Sequence, residues 1–291
     1  MRTPAFLPKK IAITYHQKIP TAAQEAENVT AELERMGIAS PFCAPLDDDE
    51  LHRRVKARQF DILVTLGGDG SMLRAGRLCA PLGLPVLGIN MGRFGFLIEV
   101  QQTNWRSALP NLLSGNFWLE DRMMLKTEHW RDGSLIDTWE VLNDVVICRG
   151  RFVRLIQVSA HVDDYFLADY VADGLIASTA TGSTAYAMAA GGPIMPPELR
   201  NILLMPIAPH LSINRGVLLA EGSKVTMTVQ TTHEAVLSVD GSHPIDLLPG
   251  DRVCAAAGDH TVSFVRFEDP GYFYRNLTRY MERNPVAGNN S

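Results

Sequence analysis

Apolar and polar positions follow two different rhythms along this chain, and the change falls near Trp118. Before it, strand-like and helix-like patterns take turns. Lys9-Lys10-Ile11-Ala12-Ile13-Thr14-Tyr15 reads as a first strand. Thr21 to Met36 then places Ala22, Ala26, Val29, Leu33 and Met36 at helical spacing, with Gly37 as C-cap. Ile62 to Leu66 is short, bulky and unbroken, as in a strand buried on both faces of a parallel sheet. A helix from Ser71 and a strand at Pro85–Asn90 follow. This alternation predicts a parallel α/β sheet of Rossmann-like type. After Trp118 the runs Ile136–Leu142, Val145–Cys148, Leu155–Val162, Phe166–Val171, Val225–Val229, Val236–Val239 and Thr261–Phe267 are strand-length and split by Gly, Asp and Pro turns. With few helical periods between them, they predict a β-sandwich. The expected organisation is an α/β domain over 1–118, an all-β domain over 119–270 and a segment 271–291 that returns to the first domain. Within that segment, Tyr272–Met281 reads as a terminal helix or strand ahead of a polar tail from Asn284 to Ser291.

The predicted strand ending at Leu66 runs into Gly67-Gly68-Asp69-Gly70-Ser71. A turn with almost no side-chain bulk lets backbone N–H groups close on a ligand, and the helix start behind it favours anions. Asp69 is the odd member. A carboxylate among phosphate-binding glycines repels phosphate unless it meets a metal or takes a proton from an attacking hydroxyl. The local reading is a phosphoryl-transfer site, set against Asp69 as an ordinary helix N-cap. No GxxxxGK[ST] occurs, and Leu73 stands where a GxGxxG would need its third glycine. Those absences weigh against a P-loop ATPase and a plain Rossmann dehydrogenase.

Composition narrows the partners. Of 291 residues, 46% are hydrophobic and 20% charged, which is globular, and a net charge of −5 offers no global attraction to nucleic acid or an anionic membrane. Any phosphate must therefore be held by local groups. Cys43, Cys79, Cys148 and Cys254 form no CxxC pair and fit a reducing compartment. With no signal-like or membrane-spanning run, the expectation is a cytoplasmic protein. The acidic run Asp47–Glu50 reads as a solvated loop leading into a helix.

Two further stretches carry candidate chemistry. Asp173 to Tyr186 concentrates Ser, Thr and Gly, which supply short donors and close approach to the backbone. The competing reading is a polar turn with an N-cap at Ser183 or Thr184. Tyr186 is either core or a flat face for a base. Asn143-Asp144 interrupts two apolar runs, and such a pair is costly to bury without partners. It suits a vicinal ribose diol or an adenine edge, or else forms a hairpin turn.

Taken in order, these motifs resemble the NAD kinase family. The resemblance rests on GGDG at Gly67–Gly70, Ile89-Asn90-Met91-Gly92-Arg93-Phe94-Gly95-Phe96-Leu97, Asn143-Asp144-Val145-Val146 and Asp173-Gly174-Leu175-Ile176. Ser183-Thr184-Ala185-Tyr186, Gly191-Gly192-Pro193-Ile194, Pro206–His210 with Arg215, and Val239-Asp240-Gly241 continue it. It implies that Asp69 is the base on the 2′-hydroxyl of the adenosine ribose of NAD. It implies ligand contacts for Gly67, Gly68, Gly70, Arg74, Asn143, Asp144, Arg154 and Asp173, and for Thr184, Ala185, Tyr186, Ala187, Met188 and Ala189. It also implies ATP as donor, a divalent metal (Mg²⁺ or Mn²⁺) carried with it, an active site between the domains, and a homodimer or homotetramer. No side chain is assigned as a metal ligand.

Three positions depart from the family pattern: Ala180 in place of Pro, Ser242 in place of Gln, and Val171 where some members have Arg. Two rivals remain. A sugar-phosphate or lipid kinase of the GGDG group would need a basic pocket or an apolar entry surface. A non-catalytic dinucleotide sensor would be favoured by loss of the acid, but Asp69 is present.

Overall fold

Residues 7–92, 95–275 and 277 are described by a computed structural model of the chain. Two compact units divide it: Met1–Asp121 with Val262–Ser291, and Arg122–Thr261. The chain thus leaves the first unit after Asp121 and returns at Val262.

The first unit is built from β1 (Ile11–Tyr15), α1 (Ala22–Arg35), β2 (Phe42–Pro45), α2 (Asp49–Lys56), β3 (Ile62–Gly67), α3 (Asp69–Cys79), β4 (Val86–Asn90), the short β5 (Val100–Gln101) and α4 (Trp105–Leu113). Its strands β2-β1-β3-β4 lie side by side in that order, each pair parallel. Every residue of β3 and β4 is buried, which explains their unbroken apolar runs. Helix α1 buries Ala22, Ala26, Val29 and Leu33 on the face that the spacing predicts, and Gly37 follows its C-cap at φ +93°. The acidic run does lead into a helix, with the Asp48 side chain capping α2 at the Leu51 amide. At the far end of the chain, residues 272–275 are helical and bury Tyr272 and Phe273. Residues 276 and 278–281 of the expected terminal element, the polar tail, and Arg93-Phe94 of the family motif lie outside the described residues.

The second unit takes in most of β6 (Trp118–Arg131), then β7 (Ser134–Val141), β8 (Asp144–Arg149), β9 (Ile156–Val162), β10 (Tyr165–Ala172), β11 (Gly174–Ser178), the one-turn α5 (Tyr186–Ala189), β12 (Ile202–Ile207), β13 (Val217–Leu219), β14 (Lys224–Val229), β15 (Ala235–Val239) and β16 (Ile245–Leu247). The start of β17 (Arg252–Arg266) completes it. One antiparallel sheet runs β13-β12-β11-β8-β15-β16, and β10, β9, β14 and β17 line up in the other. Alternate residues of both sheets, among them Val145, Ile147, Leu175, Leu237, Val158, Tyr170 and Met227, share one core. That is the sandwich the alternating runs predict. The hairpin β6–β7 turns on Asp132-Gly133, both at positive φ, as a tight two-residue turn requires. A smaller apolar layer of Ala180, Ala187, Met195 and Leu203 packs with Val146 and Ile176.

Candidate active site

In the first unit, β3 delivers the glycine turn to the carboxyl end of the parallel sheet. There the order β2-β1-β3 reverses direction, which is where open α/β sheets bind their ligands. A Cβ at Gly67 would overlap Ser71, so this glycine lets the turn fold back tightly on the helix. Gly68 takes the N-cap position of α3 in an extended conformation, leaving Asp69 as the first helical residue. The Asp69 carboxylate therefore does not cap the helix. It reaches instead to the 96–97 segment, where Oδ2 accepts the Phe96 amide at 2.7 Å and Oδ1 the Leu97 amide at 3.2 Å. A side chain at Gly95 would collide with that carboxylate, so Gly95 is the clearance through which Asp69 meets these amides. Gly70 is exposed beside it. Arg74, one turn further along α3, bonds both carboxylate oxygens of Asp47 through Nη1, at 2.9 and 3.0 Å.

In the second unit the two stretches singled out by sequence meet. Asn143 lies between β7 and β8, and Asp144 opens β8. Because β7 pairs with β6 while β8 pairs with β11 and β15, the pair sits in a crossing between sheets and not in a hairpin. The Ser178–Thr184 stretch is docked onto this crossing. Thr179 Oγ1 donates to the Leu142 carbonyl at 2.6 Å, the Thr179 amide to the Asn143 carbonyl at 2.9 Å, and Ser178 Oγ to the same carbonyl at 3.2 Å. Gly182 lies so close to the Asn143 carbonyl that a Cβ would overlap it. The Ser183 hydroxyl caps no helix; it donates to the Ala180 carbonyl and accepts the Met195 amide. Thr184 and Ala185 lead into α5, whose Tyr186 is exposed, Ala187 buried, Met188 half-buried and Ala189 exposed.

Asp144 is 5% exposed, and its partner is the Tyr186 amide. Burial, and then the nearby Asp240 carboxylate, push it up to about 7 against that hydrogen bond. Asp240 is in turn fixed by three amides, those of Leu142, Asn143 and Asp144. Burial also raises the Tyr186 hydroxyl, with Cys148 and Asp173 adding to it. Asp173 bonds Arg149 Nε at 2.7 Å. The Arg154 amide donates to the Phe152 carbonyl, which Arg149 Nη1 also reaches at 3.3 Å. Arg154 is exposed in the loop before β9 and not on a strand, and it lines a small cleft with Phe152, His233 and Glu234.

Sequence reasoning assigned no role to Gly95, Gly182 or Asp240, although all three lie inside motifs of the family. An aspartate ahead of a glycine at a strand end signals a turn, and Asp240 does adopt φ +47°. Its target, a peptide about a hundred residues away, leaves no local trace.

Comparison with known proteins supplies the class. Residues 9–117 match the ATP-NAD kinase N-terminal domain and residues 142–267 the ATP-NAD kinase C-terminal domain. An NAD kinase of Dehalococcoides mccartyi (strain CBDB1) is 36% identical over 277 residues, covering 95% of this chain and 97% of the relative. One from Heliobacterium modesticaldum is 42% identical over 221 residues, 76% of this chain and 78% of the relative. Among solved structures, yeast NADH kinase complexed with NADH shares the fold at a TM-score of 0.81 and 23% identity, over 96% of this chain and 89% of that one. An NAD kinase from Archaeoglobus fulgidus in complex with ATP does so at 0.72 and 23%, over 94% and 99%. The chain is therefore an ATP-dependent phosphotransferase. It belongs to the ATP-NAD kinase family.

Proposed function

We propose that Asp69 takes the proton of the 2′-hydroxyl on the adenosine ribose of NAD as that oxygen attacks the γ-phosphorus of ATP. The new P–O bond forms while the bond to the β–γ bridging oxygen breaks, so NADP and ADP result. One observation carries this reading. Asp69 is released from helix capping by Gly68 and held at the end of the glycine turn with clearance made for it by Gly95. The glycine turn offers backbone amides to the donor phosphates, Gly70 contacts NAD, and Arg74 adds charge once exchanged from Asp47.

NAD is held in this reading by Asn143, Asp144, Asp173 and the 184–189 stretch, with Tyr186 as a face for a base and Arg154 as an outer contact. Among the described residues no group of three or more His, Cys, Asp or Glu could hold a metal. In this reading Mg²⁺ or Mn²⁺ would be held chiefly by substrate phosphates with one or two carboxylates, of which Asp69 is the one at the turn. Such an ion would neutralise charge on the transferring group. No helix among the described residues is long and apolar enough to cross a membrane, and the four cysteines are unpaired. We place the reaction in the cytoplasm, as NADP biosynthesis by a homodimer or homotetramer.

The reading is tested by the position of the label after reaction with γ-labelled ATP. Phosphate on the 2′-oxygen of the adenosine ribose supports it; phosphate on any other NAD hydroxyl overturns it. A second check addresses Tyr186. Tyr186→Ala should raise KM for NAD about 5- to 150-fold, as loss of 1–3 kcal/mol of stacking implies, with kcat little changed. Steady-state kinetics showing a collapsed kcat at unchanged KM would contradict the assignment of Tyr186 to binding.

A further inference from the structure

A short relay behind Asp69 ends on the last strand of the first unit. The segment that receives the Asp69 carboxylate is gripped from its other side: Arg266 Nη1 donates to the Leu97 carbonyl at 2.9 Å. Beyond it, Ile98 is buried against Gly88, where any side chain would collide with Met72. Arg266 is 1% exposed, and its Nη2 is ion-paired to Glu120 without a hydrogen bond of its own. Its Nε and Nη2 lie 2.8 and 2.7 Å from Glu120 Oε2, and its plane sits about 5 Å from the rings of Phe264 and Tyr272. The Tyr272 hydroxyl also reaches Glu120, at 3.5 Å.

Stability alone is a weak reason to keep this pair. Removing two charges from water costs several kcal/mol per ion, and well-packed apolar residues often serve a fold as well. What an apolar pair could not do is hold a carbonyl at a fixed point. A guanidinium can bind Glu120 along one edge and a carbonyl with its remaining nitrogen, because its donors form a rigid fork.

We propose that Arg266 is a positioning residue for Asp69: by fixing the Leu97 carbonyl, it sets the Phe96 and Leu97 amides that aim the Asp69 carboxylate. The proposal rests on Asp69 acting on the attacking hydroxyl. Reacting groups must be aligned closely, and a displacement of about 1 Å can cost on the order of 10²-fold in rate.

A double-mutant cycle on the full chain tests it. Because removing Arg266 alone would strand Glu120, Arg266→Met is combined with Glu120→Leu. In the wild-type background this pair should lower kcat about 10- to 100-fold with KM for NAD nearly unchanged. In the Asp69→Asn background it should lower kcat little further, because groups acting through one another are not additive. The amide resonances of Phe96 and Leu97 should shift in the Arg266 variant with Asp69 intact. Equal losses in both backgrounds, or an unchanged kcat in the folded pair variant, would overturn the proposal. Should the pair variant fail to fold, Arg266→Lys enters the same cycle with the same expected losses, since one ammonium cannot hold Glu120 and Leu97 in the same fork. A fully active Asp69→Asn enzyme would instead refute the base itself, so the two failures are distinguishable.

Discussion

Replacing Asp69 by Asn is expected to lower kcat by about 10²–10⁴-fold, the usual worth of general-base assistance, while NAD still binds. A ribose hydroxyl is a poor nucleophile, and Asn has neither the charge nor the basicity to take its proton. Had the side chain been a helix cap, Asn would have served equally well and activity would persist. The structure removes that alternative, since Gly68 occupies the cap and the carboxylate turns to Phe96 and Leu97. Single-turnover rates give the chemical step, calorimetric titration gives NAD affinity, and a melting curve confirms that the variant is folded. A variant turning over at the wild-type rate would end the assignment.

Asp144→Asn should separate stability from binding through pH. The Asp144 carboxyl is pushed up to about 7 by burial and by Asp240, well above its ordinary value of 3.8. Between about pH 4 and 7 the folded protein keeps a proton that the unfolded chain releases. Stability therefore falls as pH rises through that window and stays at the lower level above it, by a few kcal/mol at most. Asn never ionises and escapes this loss. The variant should melt at a higher temperature than wild type at pH 8, with the gap closing toward pH 4.

Binding should move the opposite way. The ionised carboxylate can accept from two ribose hydroxyls, so wild-type affinity for NAD should improve as pH rises through about 7, and the variant should bind about 10- to 100-fold more weakly at pH 8, as loss of a charged hydrogen bond implies. Calorimetry without ATP avoids the titration of the donor's own phosphates. A variant no more stable than wild type at pH 8, together with a pH-independent NAD affinity in wild type, would contradict this reading. If both effects are seen, Asp144 is a site where the fold tolerates a costly group for the sake of its ligand.

Legibility in the sequence follows the range of the interactions concerned. Strand β3 with its glycine turn, helix α1 with Gly37, and most runs of the sandwich are written in local periodicity and emerge where that pattern lies. Thr261–Phe267 is the exception, since from Val262 on it belongs to the first unit, where Phe264 pairs with Val86 of the parallel sheet. Strand β2 is not legible, because Phe42–Pro45 is four residues long, only partly buried and closed by a proline. The long β6 is hidden by charge: Glu120 and Arg122 interrupt its apolar pattern, yet both are buried, partnered by Arg266 and Thr181.

The site divides the same way. Asp69 and Asn143-Asp144 stand out because they violate local expectation, an acid among glycines and a polar pair inside an apolar run. Asp240, Gly95 and Arg266 violate nothing locally. Their importance lies in what they touch 26 to 169 residues away, so the folded chain alone reveals it. Arg74 and Arg154 come from the family resemblance alone; in the structure Arg74 bonds Asp47, and Arg154 lies exposed in a loop.

The central claim is that this glycine turn and its aspartate phosphorylate a dinucleotide, and one competition assay tests it most directly. Purified protein is given ATP and Mg²⁺ with NAD, fructose 6-phosphate and diacylglycerol in parallel, and each product is measured. The account predicts NADP as the product, with the sugar phosphate and the lipid unphosphorylated. Robust phosphorylation of the sugar or the lipid with no NADP formed would contradict it.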